Sequence, residues 1–307
     1  MAALVRYRSI TSDSNRWDGF RFRPGDIVIS TPPKAGTTWM QMLCALLIFD
    51  GADLDRPLTE ISPWMDMLTA PLPDVRADLD AQQHRRFIKT HTPLDGLPID
   101  DRVTYLCVGR DPRDIGFSWD NHMANLDVEK VIAARLAVTG PDPGLVRPPA
   151  PPADPLERFW AWVDADMSSV ASFRSLTGTL HHLRIHWERR REANIGLFHY
   201  GDMLDNLTGE LARLAAVLEI DLPATRLAEL AETASFAHMK ARADVLAPEA
   251  TRSHWRSNDR FFDKGPDRRW QDTLDVASAA RYDRTVTGLA GDPDFLAWVH
   301  GGRRALD

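Results

Sequence analysis

Cysteine is scarce in this chain of 307 residues, which has only Cys44 and Cys107. Both sit in apolar surroundings and read as buried thiols, so the sequence offers neither a disulfide framework nor a metal-ligand spacing. A reduced compartment, the cytoplasm, is expected, and no metal. Long apolar runs are also missing. Met1 to Asp13 has no signal core, and the run Met40 to Phe49 is too short to cross a bilayer. Positive charge is not in excess: 37 Lys and Arg stand against 44 Asp and Glu, a formal net charge of −7. That excludes a general nucleic-acid or membrane-surface binder and requires any polyanion to meet a local basic site. No internal repeat is present. Asn206-Leu207-Thr208 matches a glycosylation acceptor, which without a signal peptide reads as chance. What remains is an ordinary globular composition, 44% hydrophobic and 26% charged.

Strand signals alternate with helical ones. Ile27–Ile29, Arg86–Lys89, Val103–Val108 and Ile195–His199 read as strands. Helical patterns cover Trp39–Phe49, Leu156–Phe173, Leu180–Arg191, Leu207–Leu218 and Pro223–Thr233. The alternation predicts an α/β fold, a central parallel sheet flanked by helices, in one domain over residues 1–307. Residues 139–155, rich in proline, are expected to be a loop, and Gly51 to Leu79, with four prolines, an irregular surface-lying segment.

The most informative stretch runs from Ile27 through Thr31-Pro32-Pro33-Lys34-Ala35-Gly36-Thr37-Thr38-Trp39. Two prolines end the strand, the chain turns at Lys34 to Gly36, and an apolar helix follows. Unpaired N–H groups and the positive end of a helix would face one point, joined by the Lys34 charge and the Thr37 and Thr38 hydroxyls. Phosphate or sulfate is the natural guest. The nucleoside triphosphate loop G-x-x-x-x-G-K-[ST] does not fit, because the lysine precedes the glycine. His91 and Arg110 follow the next two strands, and ligands of open parallel sheets gather at strand carboxyl ends. Lys34, His91 and Arg110 are therefore expected to converge.

These residues resemble the cytosolic-type sulfotransferases, which use 3′-phosphoadenosine 5′-phosphosulfate (PAPS) and share a P-loop-like fold. Seven of the nine positions of T-Y-P-K-S-G-T-T-W match, as Thr31, Pro33, Lys34, Gly36, Thr37, Thr38 and Trp39. Lys-Thr-His-x-Pro matches as Lys89, Thr90, His91 and Pro93. Arg110 and Ser118 keep the spacing of the pair that holds the donor's 3′-phosphate. Tyr200, Ser235 and Phe236 match positions at the adenine, where Trp39 and Phe236 would sandwich the base. By burial alone these rings are core aromatics.

Lys264, Gly265 and Trp270 keep the C-terminal R-K-G-x-x-G-D-W-K signature, but its first arginine is Asp263 and its second glycine is Arg268. Arg268, or else Arg260, is expected to replace the lost phosphate contact, and residues 240–265 to form a lid over cofactor and acceptor. Of the dimer motif K-x-x-x-T-V-x-x-x-E only Val276 survives, beside Gln271, Asp275 and Ala280, so that dimer is not expected.

The resemblance implies sulfuryl transfer from PAPS to a hydroxyl or amine of a small-molecule acceptor, leaving adenosine 3′,5′-bisphosphate (PAP). His91 would be the general base, Lys34 would neutralise the leaving phosphate, and Lys89 would hold the moving group. Trp64, Met67, Trp119 and His122 would line the acceptor pocket. Whether the acceptor is a phenol, lipid, sugar or specialised metabolite is open at this stage. A P-loop nucleotide kinase would need its lysine after the glycine and a magnesium ligand. A non-catalytic nucleotide-binding protein of the same fold would have no use for Lys34, Lys89 and His91 together.

Overall fold

Four short runs of β-branched, aromatic and other apolar residues form the sheet: β1 (Ile27–Ser30), β2 (Phe87–Thr90), β3 (Thr104–Gly109) and β4 (Ile195–His199). The computed structural model describes residues 3–51, 54, 56–142, 145, 151–165, 174–241, 246, 254–257 and 269–306, with only the backbone of Phe236 and Arg269. All pairings are parallel, in the order β2-β1-β3-β4, with Ile27 opposite both Phe87 and Thr104. From β1 the chain crosses to β2 on one side and to β3 on the other. The carboxyl ends of these three strands therefore sit side by side, which positions the site.

The helices are α1 (Thr37–Phe49), α2 (Leu58–Ile61), α3 (Leu72–Ala81), α4 (Pro112–Asn125), α5 (Val128–Thr139), α6 (Pro155–Asp164), α7 (Leu176–Glu188), α8 (Tyr200–Asp205), α9 (Leu207–Val217), α10 (Ala224–Thr233) and α11 (Phe236–Ala241). Arg269–Thr273, Val276–Ala290 and Pro293–Gly301 follow. Strand side chains alternate between faces. Ile27, Ile29, Leu106, Val108 and Phe198 join the core under α1, α9 and α10. Val28, Ile88, Tyr105 and Ile195 face the other way, with Trp17 and Leu79. Cys107 joins residues of α6, α7 and the last two helices. Both sheet faces are covered, as the β-rich runs require. Both cysteines are buried free thiols, and no helix among the described residues is long and apolar enough to cross a membrane.

Several expectations are corrected. The segment from Gly51 to Leu79 is not surface-lying: Met65, Asp66, Met67, Leu68 and Ala70 are buried, and most of α3 falls in it. Pro71 and Pro73 misled because they occupy the N-cap and first turn of α3, where a missing N–H costs nothing. The helix expected from Leu156 ends at Asp164, and residues 166–173 lie outside the described set. Helix α7 starts at Leu176, earlier than Leu180, because Ser175 caps it by accepting from the Gly178 N–H. Asn206, of the glycosylation pattern, caps α9 in the same way.

Candidate active site

At the end of β1 the chain adopts a conformation that glycine tolerates and most residues resist. Lys34 has φ +69° and Gly36 φ +114°, so strain is held where function was expected. Gly36 is the N-cap of α1 and supplies no side-chain cap. The first turn of α1 therefore lacks the usual side-chain acceptor, which suits an anion. Thr31 and Thr37 hydroxyls bond each other at 2.5 Å. The Ala35 side chain is in the core and its N–H donates to the Pro32 carbonyl at 3.3 Å. Thr38 is buried in the first turn.

Arg110, just beyond β3, donates to the Lys34 carbonyl at 2.6 Å, and its guanidinium lies 4.5 Å from the Tyr200 ring centre. Tyr200 meets the Trp39 ring edge-on at 5.2 Å, and the Trp39 indole donates to the Ala234 carbonyl at 2.9 Å. Lys34, Gly36, Trp39, Arg110 and Tyr200 thus form one cluster, and Ser235 follows directly on Ala234. The Ser235 hydroxyl is within 2.9 Å of His238 Nδ1. Asp111 caps α4 and Pro112 takes its first position, which places Ser118, half-buried, along that helix. Lys264, Gly265 and Arg268, with Arg260 and Asp263, lie outside the described residues, as does the Phe236 side chain.

The second cluster surrounds β2. His91 Nδ1 is 2.8 Å from the Thr31 carbonyl. A carbonyl only accepts, so Nδ1 carries the proton and Nε2 keeps the lone pair. Burial, then the Lys89 charge, pushes this imidazole well below its ordinary pKa, with Arg174 and Lys34 acting in the same direction. Trp64 meets the His91 ring edge-on at 5.0 Å, and Lys89 Nζ lies 4.4 Å from the Trp64 ring centre. Trp64 is placed by a parallel bridge to Lys89, and Met67 by an antiparallel bridge to Ser12.

Three residues around His91 escaped the sequence reading. Asp66, fully buried with its pKa raised by desolvation, accepts from Thr90 at 2.6 Å and Thr92 at 2.5 Å, pinning both neighbours of His91. Its signal was a carboxylate inside an apolar run. His182 Nε2 lies 3.0 Å from Ser30 Oγ, which donates to the Thr92 carbonyl. Arg174 had no local signal.

Trp119 and His122 are stacked at 5.2 Å on α4. Burial pushes the His122 imidazole well down, followed by the charges of Lys34 and Arg174, then His91 and Lys89. The two clusters therefore share one electrostatic neighbourhood. Residues 254–257 lie against the end of α4: Asp127 N–H donates to the His254 carbonyl at 2.9 Å, and the Trp255 ring meets His122 at 4.8 Å.

Cys107, His182 and His186 bring ligand atoms within 4.8 Å of one another, all buried. The two rings stack at 5.3 Å and 9° rather than converging, and His186 Nδ1 is engaged by the His182 carbonyl at 3.0 Å.

A parallel sheet with a strained loop at a helix N-terminus, an arginine hydrogen-bonded to that loop and a neutral histidine on the next strand end suits group transfer from an anionic donor. The chain matches the family model described as the sulfotransferase domain over residues 24–292 and belongs to the sulfotransferase family. It is a sulfotransferase that uses PAPS as donor. It is 43% identical to a glycolipid sulfotransferase of Mycobacterium bovis (strain BCG / Pasteur 1173P2), covering 100% of this chain and 97% of that one. Sulfotransferase 1A1 of Mus musculus is 25% identical over 95% of this chain and 93% of its own. Among solved structures, a retinol dehydratase in complex with androsterone and inactive cofactor PAP has a TM-score of 0.69 at 21% identity, covering 91% of this chain and 84% of that one. Mouse sulfotransferase SULT7A1 complexed with PAP has a TM-score of 0.66 at 18% identity, covering 95% and 91%. These two show the fold.

Proposed function

We propose that this enzyme, acting as one cytoplasmic domain, sulfates a sugar hydroxyl of a glycolipid, with His91 Nε2 as the general base. The observation that carries the base assignment is the Nδ1 bond to the Thr31 carbonyl at 2.8 Å, which leaves Nε2 as acceptor. The acceptor class is supported by the 43% identical relative, named a glycolipid sulfotransferase.

The residues fit the donor. The loop at Lys34 and the α1 N-terminus without a side-chain cap suit the 5′-phosphosulfate. Arg110, with Ser118, suits the 3′-phosphate, and Trp39, Tyr200, Ser235 and Phe236 suit the adenine. Lys264, Gly265 and Arg268 complete the expected set. When bound, PAPS supplies the sulfuryl group, and PAP is the product. His91 Nε2 would take the acceptor's O–H proton as the sulfuryl group passes to that oxygen and PAP departs as the leaving group. Asp66 holds the Thr90–Thr92 turn so that Nε2 keeps its aim. Lys34 and Lys89 place fixed charge where negative charge grows, which is commonly the largest catalytic contribution. Trp64, Met67, Trp119 and His122 line the acceptor side; the lid expected over residues 240–265 falls mostly outside the described residues.

Transfer of labelled sulfate from PAPS to a panel comprising a glycolipid, its free sugar, a phenol and a sterol tests this reading. Turnover of the glycolipid is expected. Turnover of the phenol or sterol with none of the glycolipid would overturn the acceptor assignment.

A further inference from the structure

Arg174 is a half-buried cation that the mechanism above does not use. It directly precedes Ser175, the N-cap of α7. Its Nη2 donates to Ser9 Oγ at 2.9 Å and to Thr11 Oγ1 at 2.5 Å, and its guanidinium carbon lies 5.4 Å from the Trp119 ring centre. Trp119 stacks on His122 at 5.2 Å, so one indole orients both a guanidinium and an imidazole. His122 Nδ1 is buried and has no hydrogen-bond partner among the described residues. The N-terminal segment that holds Arg174 also pairs with the Trp64–Leu68 segment: Leu68 N–H donates to the Thr11 carbonyl at 2.8 Å and Ser12 bridges Met67. Trp64 of that segment touches His91. Both Arg174 and His122 act electrostatically on His91 or are acted on by it.

This wall is poorly suited to an acceptor with one polar atom. A phenol or sterol would place its hydroxyl at His91 and leave His122 Nδ1 facing hydrocarbon. A buried polar group left unpaired is costly, and sites built to bond a hydroxyl reject analogues lacking it far better than apolar pockets reject an extra one. A sugar ring carries hydroxyls beside the reacting one, each able to donate to an imidazole nitrogen or accept from a guanidinium. We propose that Arg174 and His122, oriented by Trp119, are the specificity-determining residues that select a polyhydroxylated ring as acceptor. This rests on the sugar-hydroxyl reading above.

The test is calorimetric binding of octyl β-glucoside, below its micelle concentration, and of 4-nitrophenol to the PAP-loaded enzyme. His122→Phe keeps a ring against Trp119 while removing Nδ1. Arg174→Met removes the guanidinium, and Arg174→Lys retains a charge. Losing one such hydrogen bond is expected to weaken glucoside binding about 5- to 30-fold. The 4-nitrophenol Kd should move less than twofold, the PAP Kd should hold, and Arg174→Lys should recover part of the loss. Equal losses for both acceptors, or none, overturn the proposal, and so does a wild-type PAP complex that binds no glucoside. His122→Phe keeps the test decisive should Arg174→Met fail to fold. Labelled-sulfate transfer to the glucoside by wild type separates the two readings. If wild type transfers to the sugar and the variants bind it unchanged, only the Arg174–His122 assignment fails; if it transfers to the phenol alone, both fail.

Discussion

Gly36→Ala probes the anion loop at its most constrained point. At φ +114° an L side chain is strained, and the added Cβ would lie 3.0 Å from Tyr200 Cδ2 and 3.4 Å from Val108 Cγ1. Such backbone strain costs about 1–3 kcal/mol. The contact with Tyr200 spreads the effect, because that ring carries the Arg110 guanidinium at 4.5 Å and meets Trp39 at 5.2 Å. If the loop relaxes when empty, binding must restore it, and the same 1–3 kcal/mol appears as a loss of about 5- to 150-fold in affinity. If the loop cannot relax, the cost appears in Tm instead. Calorimetric titration with PAP, paired with a melt of the unliganded enzyme, reads both. A variant with wild-type PAP affinity and wild-type Tm would refute the argument that this loop geometry is required.

Asp66→Ala leaves the buried Thr90 and Thr92 hydroxyls without their acceptor. At about 1–3 kcal/mol for each buried group left unpaired, Tm should fall and kcat should drop with little change in PAP Kd; unchanged kcat would show that the carboxylate does not position His91. Burial holds His91, His122, His182 and His186 below the ordinary histidine pKa, His186 at about 4. The unfolded chain takes up protons near pH 6.5 and the folded chain does not, so stability is full above that pH and declines below it, by up to about 1.4 kcal/mol per pH unit for each histidine. A Tm that holds or rises from pH 7 to pH 5 would contradict these assignments. Asp275 caps the helix that begins at Val276, itself 88% exposed. With the charged members of the dimer motif absent, Val276→Glu should leave the oligomeric state by light scattering unchanged; a dimer that it dissociates would show that the contact forms.

The strands and the loop were legible because their signals are local: β-branched and aromatic runs, two prolines, then Lys34 to Gly36. Convergence of Lys34, His91 and Arg110 is expected from parallel topology, and the structure sets His91 on the Thr31 carbonyl and Arg110 on the Lys34 carbonyl. What stayed hidden depends on contacts between distant segments. Arg174 reaches Ser9 and Thr11, and Asp66 reaches Thr90 and Thr92, and no periodicity encodes either pairing. Helices such as α3 were missed because prolines in a first turn look like breakers until the cap is seen.

His91 is the group proposed to take the acceptor proton. Single-turnover transfer of labelled sulfate, with enzyme saturated by PAPS and acceptor in excess, measures that step directly. His91→Gln should slow it about 10²- to 10⁴-fold, the usual contribution of a positioned base, while PAP binds as tightly as to wild type. Transfer near the wild-type rate by His91→Gln, with PAP affinity intact, would contradict the assignment.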